Sequence, residues 1–186
     1  VYPRPVQDKL PLWIATGGHV ESTVKIARAG LPIVYAIIGG NPRYFKKLIQ
    51  AYREIGRDAG HANKDLKVGA HSWGWITEDG EQAVKDYFHP TKQVVDAISK
   101  DRPHWQELTY EQYLEQVGPN GAMFVGSPDQ VAEKLIRMIE DLDLDRFMLH
   151  LPLGSMPHDQ VLRAIELFGT QVAPKIRAYF AMKEGI

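Results

Sequence analysis

Cysteine is absent from this chain of 186 residues. Disulfides, thiolate metal sites and cysteine nucleophiles are thereby excluded, and a reducing compartment is permitted. An excess of one charge is missing too. Twenty-two Lys+Arg stand against 23 Asp+Glu, a net charge of -1, with no basic run to track a phosphodiester backbone or an anionic membrane surface. Neither nucleic acid nor a membrane is an expected partner. The longest apolar run, residues 31–40, falls far below the roughly 20 residues that cross a bilayer, so no membrane span and a cytoplasmic location are expected. The chain opens at Val1, without a methionine, into a YPRP stretch that lacks the charged and apolar segments of a secretory leader. This start reads as a cut. The seven histidines, His19, His61, His71, His89, His104, His150 and His158, form no H-x3-H pair and no His–carboxylate cluster with ligand spacing, so no metal is expected. G-x-S-x-G elbows and Walker loops are also absent, which removes serine hydrolases and P-loop enzymes.

What is present is ordinary for one globular domain: 44% hydrophobic and 24% charged residues. Residues 12–15 (LWIA) form a short apolar run between Pro11 and Thr16-Gly17-Gly18, the pattern of a strand covered on both faces. A helix is predicted over residues 20–29, stopped by Gly30 and Pro32. The β-branched run 33–38 predicts a second strand, and Tyr44, Leu48, Ile49, Tyr52 and Ile55 mark a second amphipathic helix ending at Gly56 or Gly60. Residues 66–77 read as a third strand, with His71, Trp73 and Trp75 on one face and Val68, Ala70, Ser72, Gly74 and Ile76 on the other. A helix begins at residues 81–88. Residues 89–126 are the least regular part, with a helical piece at 110–117. Ser127-Pro128-Asp129-Gln130 is a helix start with a serine cap and proline at the first helical position. Residues 146–151 (RFMLHL) form a fourth strand, and Pro174 splits the final helical segment, 159–182. Four βα repeats imply an α/β fold with a parallel sheet and right-handed crossovers. A doubly wound sheet is complete with four or five strands, whereas a (β/α)8 barrel takes about 250 residues; composition does not choose between them.

In either architecture the loops after the strands carry the chemistry. The first loop runs from Thr16 through Gly17, Gly18 and His19 into the helix at Ser22. Paired glycines there let backbone N–H groups close on a phosphate, with the Thr16 and Ser22 hydroxyls adding hydrogen bonds. The competing reading is a tight βα turn that needs glycine only for its dihedrals. Gly39-Gly40-Asn41-Pro42-Arg43 offers similar geometry plus a cation, but Asn41 before Pro42 also fits an ordinary helix cap. His71, Trp73 and Trp75 either line a flat ligand or pack under helices, the commoner use of large residues on such a strand.

Several stretches carry a resemblance. WIATGGHVEST running into KIARAGLPIVYAIIGG, then AYREIGRDAGH, WGWITEDGEQA, MFVGSPDQVAEKL and RFMLHLPLGSMPHDQVLRAIELFGTQVAPKIR together resemble the bacterial-luciferase-like flavin monooxygenases, in order and over nearly the whole chain. The resemblance implies a (β/α)8 TIM barrel of which residues 1–186 supply the C-terminal half as one domain fragment, strands five to eight. It also implies a mobile loop at about residues 89–126. In the family the loop after the fifth strand holds the flavin phosphate, which matches Thr16, Gly17, Gly18, His19 and Ser22 here. Many relatives carry a small or hydroxyl residue where His19 stands, so a backbone role is expected of it. The family's catalytic histidine belongs to the first half, and no catalytic residue is assigned in this chain.

The activity implied is that of an oxidoreductase in which reduced FMN, delivered by a flavin reductase, and O2 oxidise a small organic substrate. Deazaflavin-dependent oxidoreductases share the barrel, and a non-catalytic flavin- or phosphate-binding half-barrel is a further alternative. Two open parallel edges in such a half-barrel imply a homo-oligomer.

Overall fold

Short β-branched and aromatic runs between glycine and proline become parallel strands, and the amphipathic stretches between them become helices. The computed structural model describes residues 2–8, 10–102 and 105–185; Val1, where the chain opens, and His104 lie outside the described residues. The strands are β1 (Ile14–Thr16), β2 (Ile33–Ala36), β3 (Val68–Ile76), β4 (Phe124–Gly126) and β5 (Arg146–His150). The helices are α1 (Val20–Arg28), α2 (Lys46–Asp58), α3 (Gly80–Asp101), α4 (Tyr110–Val117), α5 (Pro128–Leu142), α6 (His158–Leu167) and α7 (Ala173–Glu184). All strand pairings are parallel: β1 with β2, β2 with β3, and β3 with both β4 and β5.

Register assigns the two faces. Ile33 pairs with Val68 and Tyr35 with Ala70, and all four are fully buried beneath the helices. Tyr35 meets the Phe45 ring edge-on at 5.6 Å, and Tyr52 of α2 donates its hydroxyl proton to the Leu31 carbonyl at 2.8 Å. Gly56 is where α2 crosses Leu66, whose side chain fills the place of a Cβ. The opposite face carries Val34, Gly69 and Arg146 at one level and Ala36, His71 and Met148 at the next. It is open along β5, where Arg146, Met148 and His150 are exposed while Phe147 and Leu149 pack inward. The Arg146 guanidinium lies over the Trp13 ring, 4.6 Å from its centroid.

Two sequence expectations are corrected. Five strands stand where four were expected, because β4 is only three residues long and too short to show alternation. Residues 89–101, expected to be irregular, continue α3 through Pro90 to Asp101. Proline at this position removes one backbone bond, but Thr91 and Val95 on the same helix are buried and hold the helix against its neighbours. The predicted helical piece at 110–117 coincides with α4, whose Thr109 and Gln112 form a reciprocal cap, as Ser127 and Gln130 do for α5. Pro174 stands at the start of α7, after a π-helical turn over Phe168–Val172.

One buried cation locks α4 to α5. Lys134 of α5 donates to the carbonyls of Val117 (2.9 Å), Gly118 (2.6 Å) and Met123 (2.6 Å), which closes the end of α4 and the approach to β4. Burial pushes its ammonium down to about 7, with Arg137 acting in the same direction. Lys134→Met removes the donor and leaves these carbonyls unpaired, and a loss of about 3 kcal/mol is expected by urea unfolding. Gly74→Ala puts a Cβ against the Phe124 carbonyl and the Leu149 side chain. A similar loss, roughly 3 kcal/mol, is expected, and an unchanged unfolding midpoint would show that β4 does not seat against β3 at this point.

Candidate functional site

In a parallel sheet every strand points the same way, so the loops that follow β1, β2, β3 and β5 gather at one end. The first of these follows β1. Thr16 ends β1, and its Oγ1 accepts from the Gly18 amide at 3.3 Å. Gly18 has φ +98°, and a Cβ there would lie 2.8 Å from the Phe45 ring, so both its conformation and its packing require glycine. Gly17 faces open space. His19 is the N-cap residue of α1 in extended conformation, and its side chain makes no cap hydrogen bond. The first-turn amides of Val20, Glu21 and Ser22 therefore have neither an intrahelical acceptor nor a capping side chain. The one acidic group in that turn, Glu21, is paired with Lys25 at 2.7 Å. Thr16, Gly17, Gly18, His19 and Ser22 thus lie together around a helix start whose donors and positive dipole end face outward.

The second loop is closed by its own chemistry. Asn41 Oδ1 accepts from the Arg43 amide at 3.0 Å, so the cap reading is the observed one. The Arg43 guanidinium is engaged by Asp141 at 2.9 Å. The cleft outward of this loop, lined by Asn41, Arg43, Asn120, Lys134, Arg137 and Asp141, has its cations satisfied by Asp141, by carbonyls and by Glu133. In the third loop Asp79 caps α3 through the Glu81 and Gln82 amides. In the fourth, Gly154 borders Pro90 and Gln93 of α3, and α6 also begins without a side-chain cap.

The aromatic face of β3 divides. Trp75 is fully buried and stacks on Tyr87 of α3, with centroids 5.9 Å apart and planes 5° apart. Trp73 is also buried, in line with core packing, whereas His71 is only partly covered and lies beside His150 of β5. That histidine pair brings together residues 79 positions apart in sequence, and no local spacing signals it. Among the described residues no group of three or more His, Cys, Asp or Glu side chains is placed to hold a metal ion.

The sequence matches the model of a family described as luciferase-like monooxygenase over residues 1–145. No curated protein matches the chain. Among solved structures, monooxygenase RslO1 from Streptomyces bottropensis is 19% identical with a TM-score of 0.75, covering 93% of this chain and 50% of that one. The coenzyme F420-dependent tetrahydromethanopterin reductase of Methanopyrus kandleri is 16% identical with a TM-score of 0.61, covering 90% and 51%. The oxygenating constituent of 3,6-diketocamphane monooxygenase from Pseudomonas putida, in complex with FMN, is 18% identical with a TM-score of 0.58, covering 88% and 48%. The fold is therefore that of luciferase-like, TIM-barrel-type proteins, and the chain spans about half the length of each. With 145 of its 186 residues inside the family match, and with its parallel βα units superposing on those barrels, the chain belongs to the luciferase-like monooxygenase family.

Proposed function

We propose that the chain carries the phosphate-holding half of a flavin-dependent monooxygenase, in which FMN is seated on the loop formed by Thr16, Gly17, Gly18, His19 and Ser22. The observation that carries this reading is the uncapped start of α1 beside a glycine pair, one glycine facing open space and the other in a left-handed conformation against Phe45. A phosphate fits these residues chemically: backbone amides at the helix start donate to it, and the hydroxyls of Thr16 and Ser22 add side-chain donors. The helix end favours an anion by about 0.3–1 kcal/mol, up to about 2 when partly buried. Hydrogen bonds to a charged oxygen add about 1.5–3 kcal/mol each.

Bound reduced FMN would supply the electrons with which O2 oxidises a small organic substrate. The residues of this chain anchor the phosphate end, and the open face of β3 and β5 borders the region beyond it. A flavin reductase is the proposed source of reduced FMN, and the cytoplasm is the proposed compartment; among the described residues no helix is long and apolar enough to cross a membrane. A deazaflavin in place of FMN is the second reading, supported by the likeness to the F420-dependent reductase at a TM-score of 0.61. Assembly is also proposed, as a homo-oligomer. Among the described residues β1 pairs only with β2 and β5 only with β3, so each keeps an edge free for another strand.

Titration of the purified chain with FMN, followed by flavin fluorescence, tests the cofactor reading. Saturable binding that riboflavin does not match is expected. Ser22→Ala should weaken it about tenfold, as the loss of one charge-assisted hydrogen bond predicts. Gly18→Asp should abolish it while circular dichroism keeps its helical signal. Equal affinity for FMN and riboflavin would overturn the phosphate assignment, and selective binding of F420 would favour the deazaflavin. Light scattering at micromolar concentration should give at least twice the monomer mass of 21.0 kDa, and a monomer would overturn the assembly proposal.

A further inference from the structure

Two imidazoles meet on the open face of the sheet. The rings of His71 on β3 and His150 on β5 have centroids 5.7 Å apart and planes tilted by 35°. Register accounts for this: Met148 stands opposite His71 and Trp73 opposite His150, so the histidines are diagonal neighbours across a parallel ladder. Register also gives their height. Thr16 is level with Tyr35 and Ala70, and His71 is one step beyond, level with Ala36 at the end of β2. His150 ends β5. The rings therefore lie near the carboxyl ends of β1, β2 and β5, on the side of the Thr16–Ser22 loop, while β3 itself runs on to Ile76.

A histidine with a purely structural role is normally held by hydrogen bonds, as His61 is through the Arg28 carbonyl at 2.9 Å. Among the described residues neither His71 nor His150 has such a bond or an ion pair. In this chain His71 is half-buried and His150 exposed. Burial holds the His71 imidazole below its ordinary value, and His150 pushes it the same way. Arg146, also on this face, is turned to Trp13. Level with the pair and below it, β2 contributes only Val34 and Ala36, and β1 only Trp13 and Ala15, none of them titratable. Tyr87 of α3 stacks on Trp75 and not on either imidazole.

We propose that His71 and His150 form an oxyanion-binding pair, which donates an N–H from each ring to a carboxylate or phenolate oxygen of the substrate. A singly protonated pair carries three N–H groups and one lone pair. It can therefore turn a donor inward from each ring while its net charge attracts an anion. That the anion is the substrate rests on the proposed flavin site at the same end of the sheet; the binding chemistry of the pair does not.

The test is imidazole NMR on the chain with labelled histidine, using benzoate as the probe anion, with His71→Gln and His150→Gln as variants. In the unsubstituted chain His71 should titrate below about 6.5, and His150→Gln should raise its midpoint. Benzoate should shift both rings saturably at pH 6 and bind at least tenfold more weakly to either variant. Its affinity should fall as pH rises, because a protonated pair attracts the anion and a neutral pair does not. A His71 midpoint unmoved by His150→Gln, or benzoate shifts unmoved by either substitution, would overturn the pair. Retained amide dispersion in the variants separates a lost site from a lost fold. FMN fluorescence on the same unsubstituted sample reads the cofactor proposal separately, so benzoate binding without FMN binding would sink that proposal and leave this one standing.

Discussion

The structure depends on the backbone ladders of β3. Its nine residues serve three parallel neighbours: residues 68–71 pair with β2, residues 69–73 with β5, and residues 74–76 with β4. A strand has only two edges, so three partners are accommodated only because each overlap is short. Crowding follows, and glycine relieves it where side chains or backbone cross the strand. At Gly69 a Cβ would lie 3.3 Å from both Trp13 and Val34, and at Gly74 it would overlap the Phe124 carbonyl. Where β2 has left the sheet, the Ser72 hydroxyl donates to the Ile37 carbonyl at 2.9 Å and extends the contact by one more bond. The heights of β2, β4 and β5 are set by this one strand, and that of β1 by β2.

Helix starts divide the loops into occupied and available ones. Asp79 accepts from two first-turn amides of α3, Thr109 and Ser127 each accept from one in α4 and α5, and Asn41 accepts from one in the turn before α2. Such a start has fewer free donors to offer a ligand, because part of its orphan set is already bonded. The start of α1 keeps its donors, and the two glycines before it keep side chains out of the way. The start of α6 is uncapped as well, but it follows Pro157 rather than a glycine cradle.

Much of this was legible in the residues. Punctuation by Gly30, Pro32, Gly39 and Pro42 placed α1 and β2 nearly where they stand, and the Ser127–Gln130 pattern located the start of α5 to the residue. The short strand Phe124–Gly126 was not legible, since three residues carry no alternation and its identity comes from pairing with Gly74, Trp75 and Ile76. The length of α3 was misjudged because Pro90 reads locally as a stop, while burial of Thr91 and Val95 keeps the helix going. In the sequence Lys134 is one polar residue on an amphipathic helix; only the fold brings the Val117, Gly118 and Met123 carbonyls onto it.

By itself the sequence determined the repeated βα units, the parallel sheet they require and the glycine loop after the first strand. These rest on interactions within a few residues, where periodicity, caps and permitted dihedrals are local properties. The tertiary structure decided that β3 is shared by three strands, that Arg43 is spent on Asp141, and that His71 and His150 stand side by side. Those facts depend on strand order and register. Each joins residues far apart in the chain, and no local pattern of residue types encodes which distant strand a given edge will meet.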